Sequence, residues 1–207
     1  MKNIIPKLVL LIICTLLYSC SVGLQGGARV FIEKDPEGNK VYYCHYVYPR
    51  MVEIIPPKPW PIYDPSMKNP YNTLKLEPSI IVKPDSIECE LYLFYQDESN
   101  PSNFLIIPQN SKSLFITIDT KKEYSFSTCR GPWQQIVDLS KTPARVRLKV
   151  LREEAYYKIS LEIFKEIASA NLVQIKIKGN QNILRAIFDY DTLSSYKDFY
   201  KRYITEL

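Results

Sequence analysis

The chain carries one histidine and six glycines among 207 residues, and these two scarcities exclude more chemistry than any motif supplies. A serine or cysteine nucleophile asks for a neighbouring base, usually an imidazole, and His45 is the sole candidate. No Gly-x-Ser-x-Gly occurs, and the few glycines leave no Gly-rich loop to cradle a phosphate. No Cys-x-x-Cys is present either, and adjacent Cys44 and His45 on a strand would point to opposite faces, which argues against zinc. The net charge of +5 includes Lys2 and Lys7 of the extreme N-terminus, too weak a balance to imply nucleic acid. No catalytic residue, no cofactor and no metal site is therefore expected.

The N-terminus is more informative. Met1-Lys2-Asn3-Ile4-Ile5-Pro6-Lys7 precedes a charge-free stretch over residues 8–19. A membrane span needs about 20 apolar residues, so this run is too short to cross. Apart from Thr15 it is apolar on every side over 8–17, unlike an amphipathic core helix. Two lysines ahead of such a run read as a secretory signal peptide.

Leu17-Tyr18-Ser19-Cys20 then closes the run and resembles the lipobox of bacterial lipoproteins. Leu17 matches the aliphatic first position, Ser19 the small one and Cys20 the lipidated residue, whereas Tyr18 departs from the usual small or aliphatic choice. Ordinary secretory cleavage after Gly23, within Ser21-Val22-Gly23, is the alternative. The resemblance implies that Cys20 becomes the first residue and carries two or three acyl chains. One chain binds a bilayer only marginally and two hold firmly. Ser21 after the cysteine and the lack of a following acidic cluster resemble lipoproteins of the outer membrane, on its periplasmic face.

Residues 1–19 then form the signal peptide, 20–28 a tether, and 29–207 a single α+β domain, divisible into a β-rich 29–130 and a ββαββα 140–207. After export Cys44, Cys89 and Cys129 remain, which allows three buried thiols or one bridge with a thiol left over. Cys89 falls among the apolar odd positions of its strand and points inward.

Residues 28–33 and 40–48 predict a hairpin around Asp35-Pro36-Glu37-Gly38-Asn39. Residues 49–78 hold eight prolines and predict an extended loop that wraps the domain or covers a ligand. Strands follow at 79–82, 87–95, 104–107, 114–119 and 123–128, with 129–142 irregular. Residues 145–150 and 155–159 predict two strands turned through Arg152-Glu153-Glu154, and 173–178 and 183–190 two more around Gly179-Asn180. Ser160 caps a helix over 161–171, and Asp191 or Thr192 caps another reaching near 207. The fold class is α+β: predominantly antiparallel β, with two amphipathic helices in the C-terminal third packed on one sheet face.

Several residues are candidates for a ligand surface. Tyr42, Tyr46 and Tyr48 share one side of their strand and, with Trp60 of the proline-rich loop, would offer stacking platforms to a sugar. Arg145, Arg147 and Lys149, beside Lys176 and Lys178, would form a cationic sheet face for lipid headgroups, a cell-wall polymer or a partner. Glu88 with Glu90, and Asp189 with Asp191, have spacings compatible with the carboxylate pairs of glycosidases, about 5–10 Å apart. They read more simply as the wet side of a strand and the start of a helix. The expected function is that of a membrane-anchored periplasmic lipoprotein acting as a non-enzymatic binding, scaffold or envelope-assembly module, with an envelope protein or polymer as partner. A carbohydrate-binding lipoprotein and a hydrolase with an unrecognised site are the rivals. Acyl labelling in the native host should follow Cys20 and vanish in Cys20→Ala; a mature protein that starts at Leu24 and stays soluble overturns the anchor.

Overall fold

Strict alternation of inward apolar and outward polar residues builds most of this molecule, and Ile87–Asp97 displays it plainly. Its odd positions Cys89, Leu91, Leu93 and Tyr95 are buried, while Tyr92 and Phe94 stand on the other side. The computed structural model describes residues 29–45, 47–55, 73–97, 104–138 and 149–204. Along the chain run β1 (Arg29–Lys34), β2 (Lys40–His45), β3 (Arg50–Ile55), β4 (Thr73–Val82), β5 (Ile87–Asp97), β6 (Lys112–Ile118), β7 (Lys122–Asp138) and β8 (Lys149–Ile159). Then come α1 (Leu161–Ser169), β9 (Val173–Lys178), β10 (Ile183–Ile187) and α2 (Tyr190–Tyr203). Every described pairing is antiparallel, in the order β1-β2-β4-β5-β8-β7-β6-β9-β10-β3. The architecture is α+β.

That order cannot lie flat. Only residues 46–49 separate β2 from β3, so five Cα–Cα steps reach at most about 18 Å. In a flat ladder the eight intervals between these strands would span about 38 Å. The ladder therefore curls. β7 makes the bend: its first residues pair β6 and its later ones β8, with register shifts at Thr128/Arg130 and Arg130/Trp133. Such bulges raise the local twist and turn a strand from one sheet plane into another.

One buried cluster fills the inside of the curl. Leu76, Leu93 and Ala155 supply it from one half, and Leu114, Ile116, Ile175, Ile177 and Leu184 from the other. The helices close it with Phe164, Ile167, Tyr196 and Phe199. The Phe164 ring lies 5.6 Å from Tyr196 and 6.0 Å, edge-on, from Phe199. Tyr196 is wholly buried, and its hydroxyl donates to the Leu76 carbonyl at 2.9 Å, as a buried phenol must. Both helix starts follow local chemistry: Ser160 Oγ accepts from Ile163 N, and Asp189 Oδ1 from Thr192 N. The cap of α2 is thus Asp189 rather than Asp191 or Thr192.

Four sequence expectations are corrected. Residues 49–78 are not one long loop, because β3 and β4 lie within them; Pro78 stands just past the last β2–β4 pair, where the ladder no longer needs its N–H. Residues 129–138 continue β7 instead of turning irregular, since the bulges absorb Gly131 and Pro132. Residues 149–159 are one strand. The change of parity that suggested a turn at Arg152 is tolerated because Val150 and Leu151 are both buried, on opposite faces.

The fourth correction concerns residues 104–107, which are not a strand. Their N–H groups go to one carboxylate: Glu153 Oε2 accepts from Leu105 N at 2.6 Å, and Oε1 from Ile106 N at 2.9 Å and Ile107 N at 3.3 Å. Their carbonyls go to the β9–β10 turn, with Phe104 O taking Asn182 Nδ2, Leu105 O taking Gln181 N and Ile106 O taking Asn180 N. The approach is so close that a Cβ on Gly179 would sit 1.6 Å from Leu105 O, so only glycine fits. Glu153 is fully buried; burial pushes its carboxyl above the ordinary value, against the pull of the three amides and Gln134.

Cys44, Cys89 and Cys129 are all free thiols. Burial pushes Cys44 up to about 12 and Cys89 up to about 11, which leaves both inert near neutrality. Cys129 is exposed, contrary to a uniformly buried set. Replacing Glu153 by Leu strands three amides and should cost about 3–5 kcal/mol in urea unfolding, with Glu153→Gln losing less. A loss below about 1 kcal/mol in Glu153→Leu would show that the 104–107 segment is held by other means.

Candidate functional site: an aromatic and charged sheet face

Curling seals one face of the ladder and leaves the other outside. On that outer face, strand register lays side chains in rows across β4, β5, β8 and β7. One row reads Glu77, Tyr92, Tyr156, Arg130, and the next Lys75, Phe94, Glu154, Trp133. A flanking row holds Ser79, Glu90 and Lys158. On β2, Tyr43 pairs with Ser79, and His45 Nδ1 lies 3.0 Å from Glu77 Oε2.

These rows pack as alternating rings and charges. Tyr92 and Tyr156 stand 4.9 Å apart, and Trp133 meets Tyr156 edge-on at 6.0 Å. The Arg130 guanidinium lies 4.0 Å over the Tyr156 ring and bonds the Glu90 carboxylate. Arg152 and Lys75 both sit 5.2 Å from the Phe94 ring. Toward the free edge, Tyr43 stacks on His45 at 5.9 Å and Phe31 meets the imidazole at 5.0 Å. Glu77 and Glu90 are buried although they lie on an outer face. Tyr92 is held neutral by burial and by its bond to Glu154, which together push the phenol well above its usual value.

Trp133 is the exposed end of this arrangement, 52% accessible. Its seat depends on Gly131, whose φ of +82° belongs to the region that glycine tolerates. A Cβ there would lie 2.9 Å from Trp133 Cε3 and 3.0 Å from the Glu154 carbonyl oxygen. The two bulges of β7 thus bring Arg130 and Trp133 onto the same face as Tyr156, the re-aiming for which bulges recur beside binding sites.

Of the residues expected to form a ligand surface, Tyr42, Tyr48 and Lys149 are described, and they do not come together. Tyr42 points inward, 5.5 Å from Tyr203, because the inner parity of β2 is shared with buried Cys44. Tyr48 lies beyond the end of β2, exposed, with the Lys75 ammonium 5.5 Å from its ring. Tyr46, Trp60, Arg145 and Arg147 fall outside the described residues, and Lys149 opens β8. In the cationic face, Lys176 is engaged by Glu123 at 3.5 Å and by the Phe115 ring at 4.4 Å. Glu88 is bridged to Lys158 at 2.8 Å and Lys83 at 3.3 Å, which hold its carboxyl below the usual range. Asp189 caps α2. Cys44 and His45 do face opposite ways, one buried and the other on the outer face.

Trp133, Arg130, Tyr156, Tyr92 and Phe94 were missed as a group. The available signal was the even parity of Tyr92 and Phe94 opposite the buried positions of β5. Comparison with protein-family models, curated proteins and solved structures finds no match to this chain.

Gly131→Ala should displace the indole and cost about 1–3 kcal/mol through the strained backbone and the clash. It should also shift tryptophan emission in a Trp60→Phe background. Gly38→Ala is the control, since its φ is +87° but no atom lies within 4 Å of the added carbon. It should cost about 1 kcal/mol without changing the emission. Equal emission in all three proteins would remove Gly131 as the seat of Trp133.

Proposed function

We propose that this chain is a membrane-anchored envelope lipoprotein, held in the outer membrane by acyl chains on Cys20, that works as a non-enzymatic binding module. The observation that carries the binding half is the outer sheet face, where exposed rings flank carboxylates already desolvated and paired. A merely solvated face has no use for buried glutamates, because desolvating a charge is costly unless something is gained in return. Here Glu90 is held by Arg130 over Tyr156 and Glu77 by His45 beside Tyr92, a preorganised surface of the kind that lowers the entropic cost of binding. The lipobox resemblance supports the anchoring half, and the family's sorting habits favour the periplasmic leaflet. An envelope protein or polymer is the expected partner class.

A hydrolytic reading has one observation in its favour. Glu77 accepts or orients at Nδ1 of a half-exposed His45, as a carboxylate orients a general base. The remaining ring nitrogen is where a nucleophile would have to meet it.

The lipidated protein in native membranes tests both readings. Wild type, solubilised in detergent, should co-sediment with isolated envelope material, and the Trp133→Ala/Tyr156→Ala double variant should fall at least tenfold while keeping its acyl chains. Undiminished sedimentation of the double variant defeats the binding face. Soluble products released from the envelope by wild type but not by His45→Ala would replace binding with hydrolysis.

A further inference from the structure

The chemistry of the outer face selects among ligands. Its acids and bases balance, with Glu77, Glu88, Glu90 and Glu154 against Lys75, Arg130, Arg152 and Lys158, and most are already paired with one another or with a ring. A polyanion such as nucleic acid or an acidic polymer would find no uncompensated positive field. A purely apolar partner would have to bury the charges between the rings.

What fits is a molecule that is uncharged, has an apolar flat side and is rimmed by hydroxyls. We infer that this face binds a neutral oligosaccharide, with Trp133 stacking on a pyranose face and the Arg130–Glu90 pair, carried on the Tyr156 ring, receiving hydroxyls. This deepens the binding-module reading above and rests on it. The C–H bonds of a sugar ring are weakly positive and meet the negative face of an indole or phenol. Trp133 and Tyr156 meet at right angles and the indole is half accessible, so indole surface is left for such a contact. Planar carboxylate and guanidinium groups make directional bonds to hydroxyls that a lone lysine does not. Because Arg130 lies over Tyr156 and is tied to Glu90, its remaining donors are held at one place on the face, across from Trp133 on the same ring.

Extent argues for an oligomer over a single sugar. From Trp133 on β7 to Phe31 on β1 the rings cross five strand intervals, about 24 Å at the usual spacing. Phe31 is 45% accessible, so both ends of the strip carry exposed aromatics. Between them Tyr43 stands on β2, Tyr92 on β5 and Tyr156 on β8, with Lys75, Glu77 and Ser79 of β4 in the gap.

The full lipidated protein in detergent, carrying Trp60→Phe, has Trp133 as its one tryptophan. Titration with cellohexaose, mannohexaose and chitohexaose should give a saturable change of its emission with at least one of them. Calorimetry on Tyr156→Ala, which leaves the reporter in place, should show at least a tenfold loss of affinity, and circular dichroism should show the fold retained. Should Tyr156→Ala fail to fold, Tyr156→Phe keeps the ring and should bind within about threefold of wild type, while Arg130→Gln should weaken binding at least fivefold. The inference is overturned if none of the three sugars binds, or if binding ignores both Tyr156→Ala and Arg130→Gln. Binding of oligogalacturonate alone, or photo-cross-linking at position 133 to a protein alone, also overturns it while sparing the binding module. Envelope sedimentation that ignores the Trp133→Ala/Tyr156→Ala variant removes both.

Discussion

One buried carboxylate clasps the two halves of this molecule beside the strand that joins them. Glu153 sits on β8, in the half that carries the outer face, and takes three consecutive amides of residues 105–107. The carbonyls of Phe104, Leu105 and Ile106 are in turn spent on the β9–β10 turn in the other half. A peptide segment with no strand partner thereby has three of its amides and three of its carbonyls bonded, as a segment buried at Leu105 and Ile107 needs. Remove the carboxylate and the buried amides of Leu105 and Ile107 lose their acceptor. Gln134 of β7 also donates to Glu153, so the clasp reaches the strand that bends the ladder.

The bend matters because it sorts the two faces. A short link from β2 to β3 forces curling, curling closes one face over Tyr196, Phe164 and Phe199, and the opposite face is left for other uses. The bulges that make β7 flexible enough to bend are the same ones that present Arg130 and Trp133. Fold and surface therefore share a cause: two register shifts serve the curvature of the ladder and the composition of its outside.

Much of the fold was legible in the chain itself. Period-two alternation located β5, β6 and β9, and the Ser160 cap and the spacing of Phe164 and Ile167 located α1. The hairpin around Asp35 and Asn39 was equally plain, since Asp35 binds Asn39 through both backbone and side chain. Residues 104–107 misled because Phe-Leu-Ile-Ile has strand composition but finds its partners in a side chain and a turn. Residues 129–138 misled because Gly131 and Pro132 look like a break, yet bulges admit both. Of the aromatic face, only Glu88 and Glu90 were recognised as outward. Tyr42 was assigned to a ligand surface although its parity is that of buried Cys44.

Sequence alone determined features whose physics is local: the Ser160 cap, the turn at Asp35–Asn39, the inward sets of β5 and β9, and the charge-free N-terminal run with its cysteine. These depend on residues a few positions apart. Tertiary structure decided which outward residues meet. Arg130 reaches Glu90 across 40 positions and Glu153 reaches Leu105 across 48, separations over which no pattern in the chain carries register. Pairing of distant strands is chosen by total burial, and a shift of one residue would turn every ring on the outer face inward.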